Sequence, residues 1–307
     1  MIVRKMTTSD KIYRVINYTF LTLLAFTTMY PFIYFLALSL NDGFDSMKGG
    51  IYFFPREFTL DNYVKAFKNP YIIDAFKISI MRTGLVTALS VFFTALLAYA
   101  LSVKGWPGKK YFVFFFFFTT LFGGGLVPTF ILYRQLHIYN TFWVLVLPAI
   151  YSFYNAVIIR TFFTGIPDSL PESARIDGAS ELGIFLKIML PLSVPVLATI
   201  ALFVGVGTWN DWFSGEFFVQ NRSLQPASTL LNKIINEASF ESAMGSSNSG
   251  SSVIQGNQAL EQAKQTGTTP ESLRMAFVII IVTPIICVYP FVQRYFVKGV
   301  MVGSLKE

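Results

Sequence analysis

One cysteine, Cys287, and one histidine, His137, are all that the 307-residue chain contains of either type. A single cysteine allows no disulfide within the chain, and a single histidine cannot build a histidine-ligated metal centre. Charge is scarce too, at 13% of residues, roughly half the share of an average soluble domain. No glycine-rich phosphate loop ending in Lys and Ser or Thr is present, so the chain does not hold ATP in the usual way. His137 has no Ser or Cys partner in a nucleophile–base pattern, and no catalytic constellation emerges. Acidic residues are missing from the middle of the apolar runs. Asp74, Lys77 and Arg82 sit near one run's end, whereas proton- and ion-coupled carriers bury such groups deeper. The net charge of +7 comes without a basic run interleaved with aromatics, which argues against nucleic acid as a partner.

What the chain has is apolar length. Hydrophobic residues make up 53% and aromatics 17%, and several runs approach the ~20 residues that cross a hydrocarbon core. The reading is an all-α membrane protein. Residues 1–14 carry Arg4, Lys5, Lys11 and Arg14 ahead of an apolar run over 15–40. That run is too long and aromatic for a signal peptide, and its basic end belongs in the cytoplasm. Pro31 predicts a kink in it. Residues 41–69 are polar, with charges of both signs. Within them Thr59 is placed to cap a short amphipathic helix through Tyr63 and Phe67. A second span covers 78–103 and ends in a tight basic loop of Lys104, Lys109 and Lys110 around Trp106-Pro107-Gly108, the clearest inside signal in the chain.

The third span starts at Tyr111 and includes five consecutive Phe, 114–118, whose lack of periodicity reads as lipid-facing bulk. Gly123-Gly124-Gly125 and Pro128 interrupt it, a break that either lines a cavity or frays at the outer end. After an external turn at 134–140, a fourth span runs over 142–163 with Tyr151, Tyr154 and Asn155 inside it. Arg160 marks its cytoplasmic exit.

Residues 166–195 then form a polar, turn-rich island between apolar runs. Ser169 and Glu172 match a capping box. The expected helix over 170–176 stops at Asp177-Gly178, where glycine takes a left-handed conformation cheaply. Ser180 can cap a second helix whose apolar face is Leu182, Phe185, Leu186 and Met189, ended with the help of Pro191. By pattern alone this is either an ordinary interfacial hairpin or a surface shaped for a partner. Counting spans from the N-terminus puts it in the cytoplasm.

The fifth span, 194–213, ends in Trp209-Asn210-Asp211-Trp212. These residues read either as an interfacial aromatic belt or as the lining of an outer cavity, where aromatic faces stack on sugar rings and polar groups bond hydroxyls. The long polar stretch 214–272 includes 245–265, rich in Ser, Gly, Asn and Gln, the composition of a mobile loop. The part before Asn236, with Leu230, Leu231, Ile234 and Ile235, is expected to be ordered. A sixth span covers 275–296, kinked by Pro284 and Pro290, with Arg294 and Lys298 marking an inside exit.

Glu172-Ser173-Ala174, Asp177-Gly178-Ala179, and then Leu190-Pro191 and Pro195 resemble the "EAA" loop of ABC importer permeases, with Ser173 in place of the family's second-position Ala. Pro55 followed by Thr59-Leu60-Asp61-Asn62-Tyr63 resembles the first external loop of the carbohydrate, maltose-type second permeases. The tail KGVMVGSLKE and the long loop before the last span resemble most the permeases of complex-polysaccharide importers. The resemblance covers nearly the whole chain. It implies the type I importer fold: six transmembrane helices, a permease domain over 15–296, a coupling loop at 166–191, an extended external loop at 214–272, and cytoplasmic ends at 1–14 and 297–307.

By that resemblance Glu172, Ser173, Ala174, Asp177, Gly178, Ala179 and Pro191 couple to a cytoplasmic ATPase. Tyr151, Tyr154, Asn155, Trp209, Asn210, Asp211 and Trp212 are the candidates for the substrate path. The implied partners are a second related permease, two ATPase subunits that carry ATP and Mg, an external solute-binding protein, membrane lipid and an oligosaccharide. The chain itself is then a non-catalytic transport subunit of a bacterial plasma membrane, binding no cofactor. The alternative is an ATP-independent secondary carrier or channel, distinguished by whether transport depends on an ATPase.

Overall fold

The computed structural model describes residues 7–105, 107–236 and 267–304, with side chains up to 288 and at 290. The first six residues, the segment 237–266 that holds the Ser/Gly-rich stretch, and 305–307 lie outside the described residues, as do the side chains of Arg294 and Lys298. The described residues form helices, turns and an isolated antiparallel bridge between Asn41 and Phe58. They divide into two compact units, 1–69 with 234–282, and 70–233 with 283–307.

In the first unit, α1 (Thr8–Ser39) starts well before the apolar run. Thr7 and Asp10 form a capping box that gives the orphan amides of the first turn their partners. The helix continues through Pro31 and exposes apolar side chains on every face from Ile12 to Leu36. Only hydrocarbon or another protein surface suits such a helix.

Beyond α1 the chain folds around buried amides. Asn41 is fully buried; its Oδ1 accepts from the backbone N–H of Arg56 (2.7 Å) and Glu57 (2.8 Å), and its Nδ2 donates to Asp45 Oδ2 (3.1 Å). Asp42 caps the short α2 (Gly43–Ser46). In α3 (Asp61–Lys68), Thr59 does accept from the Asp61 amide (3.2 Å), but the buried positions are Asn62 and Ala66, while Phe67 is exposed. The face turns by one residue because Asn62 is a crosslinker. Its Nδ2 donates to the carbonyls of Ser39 (3.0 Å) and Asn41 (2.9 Å), and its Oδ1 accepts from Ser272 Oγ (2.7 Å). A polar residue thus occupies a core position that a hydropathy pattern assigns to an aromatic.

In the second unit, α4 (Pro70–Ser102) begins at a proline, whose missing N–H costs nothing in a first turn. The third run is two helices, α5 (Lys109–Leu121) and α6 (Leu126–Gln135), bent by 114° at Gly123–Gly125, with Gly125 at φ 80°. Of the Phe run, Phe114, Phe115, Phe117 and Phe118 are exposed, while Phe116 stacks on Phe153 at 6.0 Å.

The fourth run is not one continuous helix. It opens as 3-10 turns, Phe142–Leu145 and Leu147–Ala149, and only then becomes α7 (Phe153–Phe163), bent by 42° from them and capped by Ser152. Pro148 brings no amide donor to an α-helical ladder. Packing holds the irregular piece: Val144 and Leu145 are buried with Phe218 and Val219.

The island contributes α8 (Ser169–Ile176), then α9 (Glu181–Ile184), a π-helical turn (Phe185–Met189) and α10 (Leu190–Leu192). After it come α11 (Val194–Asn210), α12 (Phe213–Phe218), a 3-10 turn (Arg222–Leu224) and α13 (227–236), which covers the part of the polar stretch expected to be ordered. The last helix, α14 (Pro270–Ser304), is continuous through Pro284 and Pro290, and carries helix into the region expected to be a tail.

The core of the second unit joins α4, α7, the island and α11. Ala95, Ala98 and Ala156 are completely buried and let Phe163, Phe185 and Ile200 approach. Small residues at helix crossings are how membrane helices gain close packing. Among the described residues, α1, α4 and the first part of α14 are each long and apolar enough to cross a membrane, and counting each of the three bent pairs as one span brings the number to as many as six.

Candidate functional site

The island is built from backbone chemistry first. The Ser169–Glu172 capping box does not form. Asp168 occupies the N-cap position in helical conformation, and no side chain caps α8. The chain is already turning at Pro167, whose carbonyl accepts from Leu170 N (3.2 Å), so Ser169 is inside the helix. The Asp168 carboxylate is engaged instead by Lys104 Nζ at 2.6 Å.

The end of α8 explains the pattern Ala174, Gly178, Ala179. Gly178 has φ 82°, the Ala179 amide donates to the Ala174 carbonyl (2.9 Å), and the Gly178 amide donates to that of Arg175 (3.0 Å). This pair of bonds is a Schellman closure, with Gly178 at the position that must be left-handed and Ala174 and Ala179 as its small flanking pair. Ala174 also packs on the core of the second unit, where a larger side chain would push the helix away.

Ser180 then caps α9 as expected, accepting from the Gly183 amide. The apolar face differs from the expected one. Phe185 and Met189 are buried together with Ile184, while Leu182 and Leu186 are exposed. Ile184, just before the π-helical turn at Phe185–Met189, takes the inward place instead of Leu182, and within that wider turn Phe185 and Met189 stay buried while Leu186 faces out. Pro191 stands in the first turn of α10, and the chain bends by 84° into α11 at Ser193. Glu172, Ser173, Asp177, Ala179 and Pro191 are exposed, beside Leu170, Ile176 and Leu182. Exposed carboxylates thus stand next to exposed apolar residues on a closed turn.

A polar cluster that hydropathy reading missed ties this turn together. Arg175 donates to both oxygens of Glu181, Nε to Oε1 at 2.6 Å and Nη2 to Oε2 at 3.2 Å. The hydroxyl of Tyr99 on α4 donates to Glu181 Oε2 at 2.5 Å. The Arg175 guanidinium, followed by the Tyr99 hydroxyl, holds the Glu181 carboxyl below its ordinary range. An Arg and a Glu separated by a glycine turn were a readable signal for such a clamp.

The second candidate group lies at the end of α11. Arg82, expected near a span's end, is 3% exposed in the middle of α4. Its Nη2 pairs with Asp211 Oδ2, its Nη1 donates to the Asp211 carbonyl (3.1 Å), and its Nε donates to the Leu145 carbonyl (3.0 Å). The other Asp211 oxygen accepts from the Ser214 amide (3.1 Å). Asp211 is thereby an anchor. Trp209 is buried, edge-on to Phe76 at 6.2 Å, and lines a cavity of about 660 Å³ with Thr83, Gly84, Thr87, Ala201 and Gly205. That wall is nearly all carbon, which suits hydrocarbon better than sugar hydroxyls. Asn210 is exposed, its Nδ2 donating to the Val206 carbonyl (3.0 Å), and Trp212 is exposed. Of the remaining candidates for the path, Tyr154 is 72% exposed, Tyr151 is exposed beside Phe116, and Asn155 is half-buried in the first turn of α7.

Residues 90–302 match the family described as "Binding-protein-dependent transport system inner membrane component". The chain is 34% identical over 301 residues to Protein LplC of Bacillus subtilis (strain 168), covering 98% of this chain and 97% of that one. It is 34% identical over 297 residues to the polygalacturonan/rhamnogalacturonan transport system permease protein YtcP of the same organism, covering 97% and 99%. Among solved structures it is similar to a chain of a bacterial ABC transporter involved in the import of the acidic polysaccharide alginate. The TM-score is 0.82 at 26% identity, over 95% of this chain and 99% of that one.

Proposed function

The chain belongs to the family of binding-protein-dependent transport system inner membrane components, and from that premise we propose how it works as the permease subunit of an ATP-driven sugar importer. It supplies one half of a membrane path, paired with a second, related permease. Two ATPase subunits, which hold ATP and Mg, dock on the island and its counterpart. An external binding protein delivers the cargo. Both ends of the chain, together with the island, lie in the cytoplasm, as the basic residues after the second and fourth spans support.

The observation that carries the coupling role is the closed turn at Gly178. A Schellman closure with exposed Glu172 and Ile176 on one side, and Ala174 seated on the core on the other, is a rigid handle on the membrane helices. Approach of the ATPases pushes that handle, and α4, α7 and α11 shift as packed bodies between inward- and outward-facing arrangements.

The cargo is an oligosaccharide or glycan fragment, a reading supported by the names of the similar permeases and by the alginate importer. Tyr151, Tyr154, Asn155, Asn210 and Trp212 offer the accessible aromatic faces and amides for it. Trp209 and Asp211 shape the path from behind.

Co-purification in mild detergent tests the assembly. A second permease and an ATPase coming down with this chain, with uptake lost on ATP depletion, is the expected result. A chain that comes down alone, with uptake indifferent to ATP, would replace this reading with a secondary carrier or channel.

A further inference from the structure

We infer, resting on the coupling role proposed for the island, that Tyr99 is the positioning residue through which motion of the island reaches α4. The ring of Tyr99 is 94% buried and sits between the two segments that flank the loop, 6.4 Å from Phe163 at the end of α7 and 5.5 Å from Phe185 at the start of the π-helical turn. Its hydroxyl reaches Glu181 at 2.5 Å, and Glu181 grips Arg175 with both oxygens. Arg175 in turn accepts the Gly178 amide on its carbonyl. One phenol thus touches α7 ahead of the turn, the π-helical segment behind it and, through a single carboxylate, the turn itself.

The geometry separates this joint from the other tie between the island and the end of α4. Lys104 and Asp168 meet at 2.6 Å, but their side chains are 79% and 64% exposed. A pair so open to water is screened and contributes little. The Glu181 side chain is itself 55% exposed, but the phenol that binds it is buried and fixed by packing on Phe163 and Phe185. The charge-assisted bond of Tyr99 therefore transmits displacement of the island where the Lys104–Asp168 pair does not. Farther along α4 lies Arg82, which is fastened to Asp211 and to the Leu145 carbonyl. A pull on Tyr99 therefore moves a helix already bound to the end of α11 and to the 3-10 turns before α7.

The phenol ring and the hydroxyl have separable roles. Tyr99→Phe keeps the ring packing and removes only the bond to Glu181, and Glu181→Gln keeps a hydrogen-bond partner for the hydroxyl but removes the charge. The complete complex, with second permease and ATPases, is reconstituted in lipid nanodiscs, and ATP hydrolysis is measured with and without the external binding protein. The readout is the ratio of the two rates in assembled complex, which a merely structural role would not move. Tyr99→Phe is expected to lower that ratio about tenfold, the equivalent of one charged hydrogen bond, with Glu181→Gln in between and Lys104→Ala at the wild-type value. Gly178→Val serves as the reference for the coupling role. If Gly178→Val collapses the ratio and Tyr99→Phe leaves it intact, the assignment of Tyr99 is overturned and the coupling role stands. If neither changes it, the coupling role itself is wrong. A lower yield of complex with an unchanged ratio would make Tyr99 a packing residue only.

Discussion

Arg82 and Asp211, 129 residues apart in sequence, form an ion pair inside the second unit, with the arginine almost entirely shielded from solvent. The same guanidinium also binds the carbonyls of Asp211 and Leu145. Asp211 in turn accepts from Ser214, and its carbonyl receives the Ser228 hydroxyl (3.1 Å). Four stretches of chain thus meet at one cation: α4, the 3-10 turn before α7, the end of α11 and the start of α13. A buried arginine in an apolar helix persists only with this degree of compensation.

Removing one partner should therefore cost more than removing both. Asp211→Ala leaves a buried, uncompensated guanidinium and is expected to destabilise by about 3–5 kcal/mol. Arg82→Met with Asp211→Leu removes both charges and should recover part of that loss, the remainder reflecting the Leu145 carbonyl and the Ser214 amide left without their partners. Thermal unfolding of the detergent-solubilised complex, run as a double-mutant cycle, measures the coupling. A double variant as unstable as the singles would mean that the shape of the arginine, rather than its pairing, holds the junction.

The membrane character and the island were legible because both depend on local chemistry. Apolar length counts spans, and Gly123–Gly125 and Gly178 punctuate the chain where their backbone takes positive φ or a sharp bend. Helices reach beyond the apolar runs where the first turn is polar. The Thr7–Asp10 box opens α1 outside its hydrophobic run. The π-helical turn at Phe185–Met189 escaped because a pattern of threes and fours presumes a constant pitch. Tyr99, Arg82 and Asn62 escaped for another reason. Each is fixed by a partner far along the chain, and no window of local sequence contains both members of the pair. The resemblance supplied the letters of the loop motif, and the hydrogen bonds of Ala174, Arg175, Gly178 and Ala179 supply its physical reason.

Gly178→Val should uncouple transport without preventing insertion. A Cβ at this position meets no neighbouring atom within 4 Å, so the penalty is purely conformational, from φ 82°. A β-branched residue resists that region by about 1–3 kcal/mol, enough to open the Schellman closure. Gly178→Asn, which tolerates the left-handed region, should keep most activity. Sugar uptake normalised to the amount of permease in the membrane checks both. Normal uptake by Gly178→Val would count against the turn as the coupling element.

Glu172→Lys should weaken capture of the ATPase, because Glu172 is exposed in the first turn of α8 and reversing its charge changes the presented surface while leaving the fold intact. Co-purified ATPase per permease is the quantity to follow, at low and physiological salt. A loss that deepens at low salt identifies an electrostatic contact, since screening hides charge repulsion between exposed groups. Unchanged co-purification at both salts would remove Glu172 from the docking surface.

Gly43→Ala tests the first unit. A Cβ there would collide with the Thr269 amide nitrogen and stand 2.6 Å from Thr268 Cα, and these are backbone atoms that cannot rotate away. The Gly43 amide also donates to the Gly267 carbonyl at 2.8 Å. The methyl must therefore push the segment before α14 off α2, with a loss of about 1–3 kcal/mol. A lower unfolding temperature of the purified complex is the expected outcome. An unchanged one would show that the two segments separate at no cost.

The Glu181–Arg175 clamp should be lost only in acid. Glu181 has its carboxyl held below its ordinary value of 4.5 by Arg175 and Tyr99. A carboxylate with a depressed folded-state value contributes stability fully above the unfolded value, and the contribution fades as pH falls through the folded one. The difference in unfolding temperature between wild type and Glu181→Gln should thus be constant from pH 7 to about 5, and should shrink below 4.5 as both proteins come to carry a neutral side chain. Comparison with the glutamine variant cancels the titration of distant carboxylates, which affect both proteins alike. Because the Glu181 side chain is about half exposed, the difference at neutral pH should be small, under about 1 kcal/mol. A difference that grows on acidification would mean that Glu181 is neutral in the folded protein, and the clamp would then have to be a bond to a protonated carboxyl.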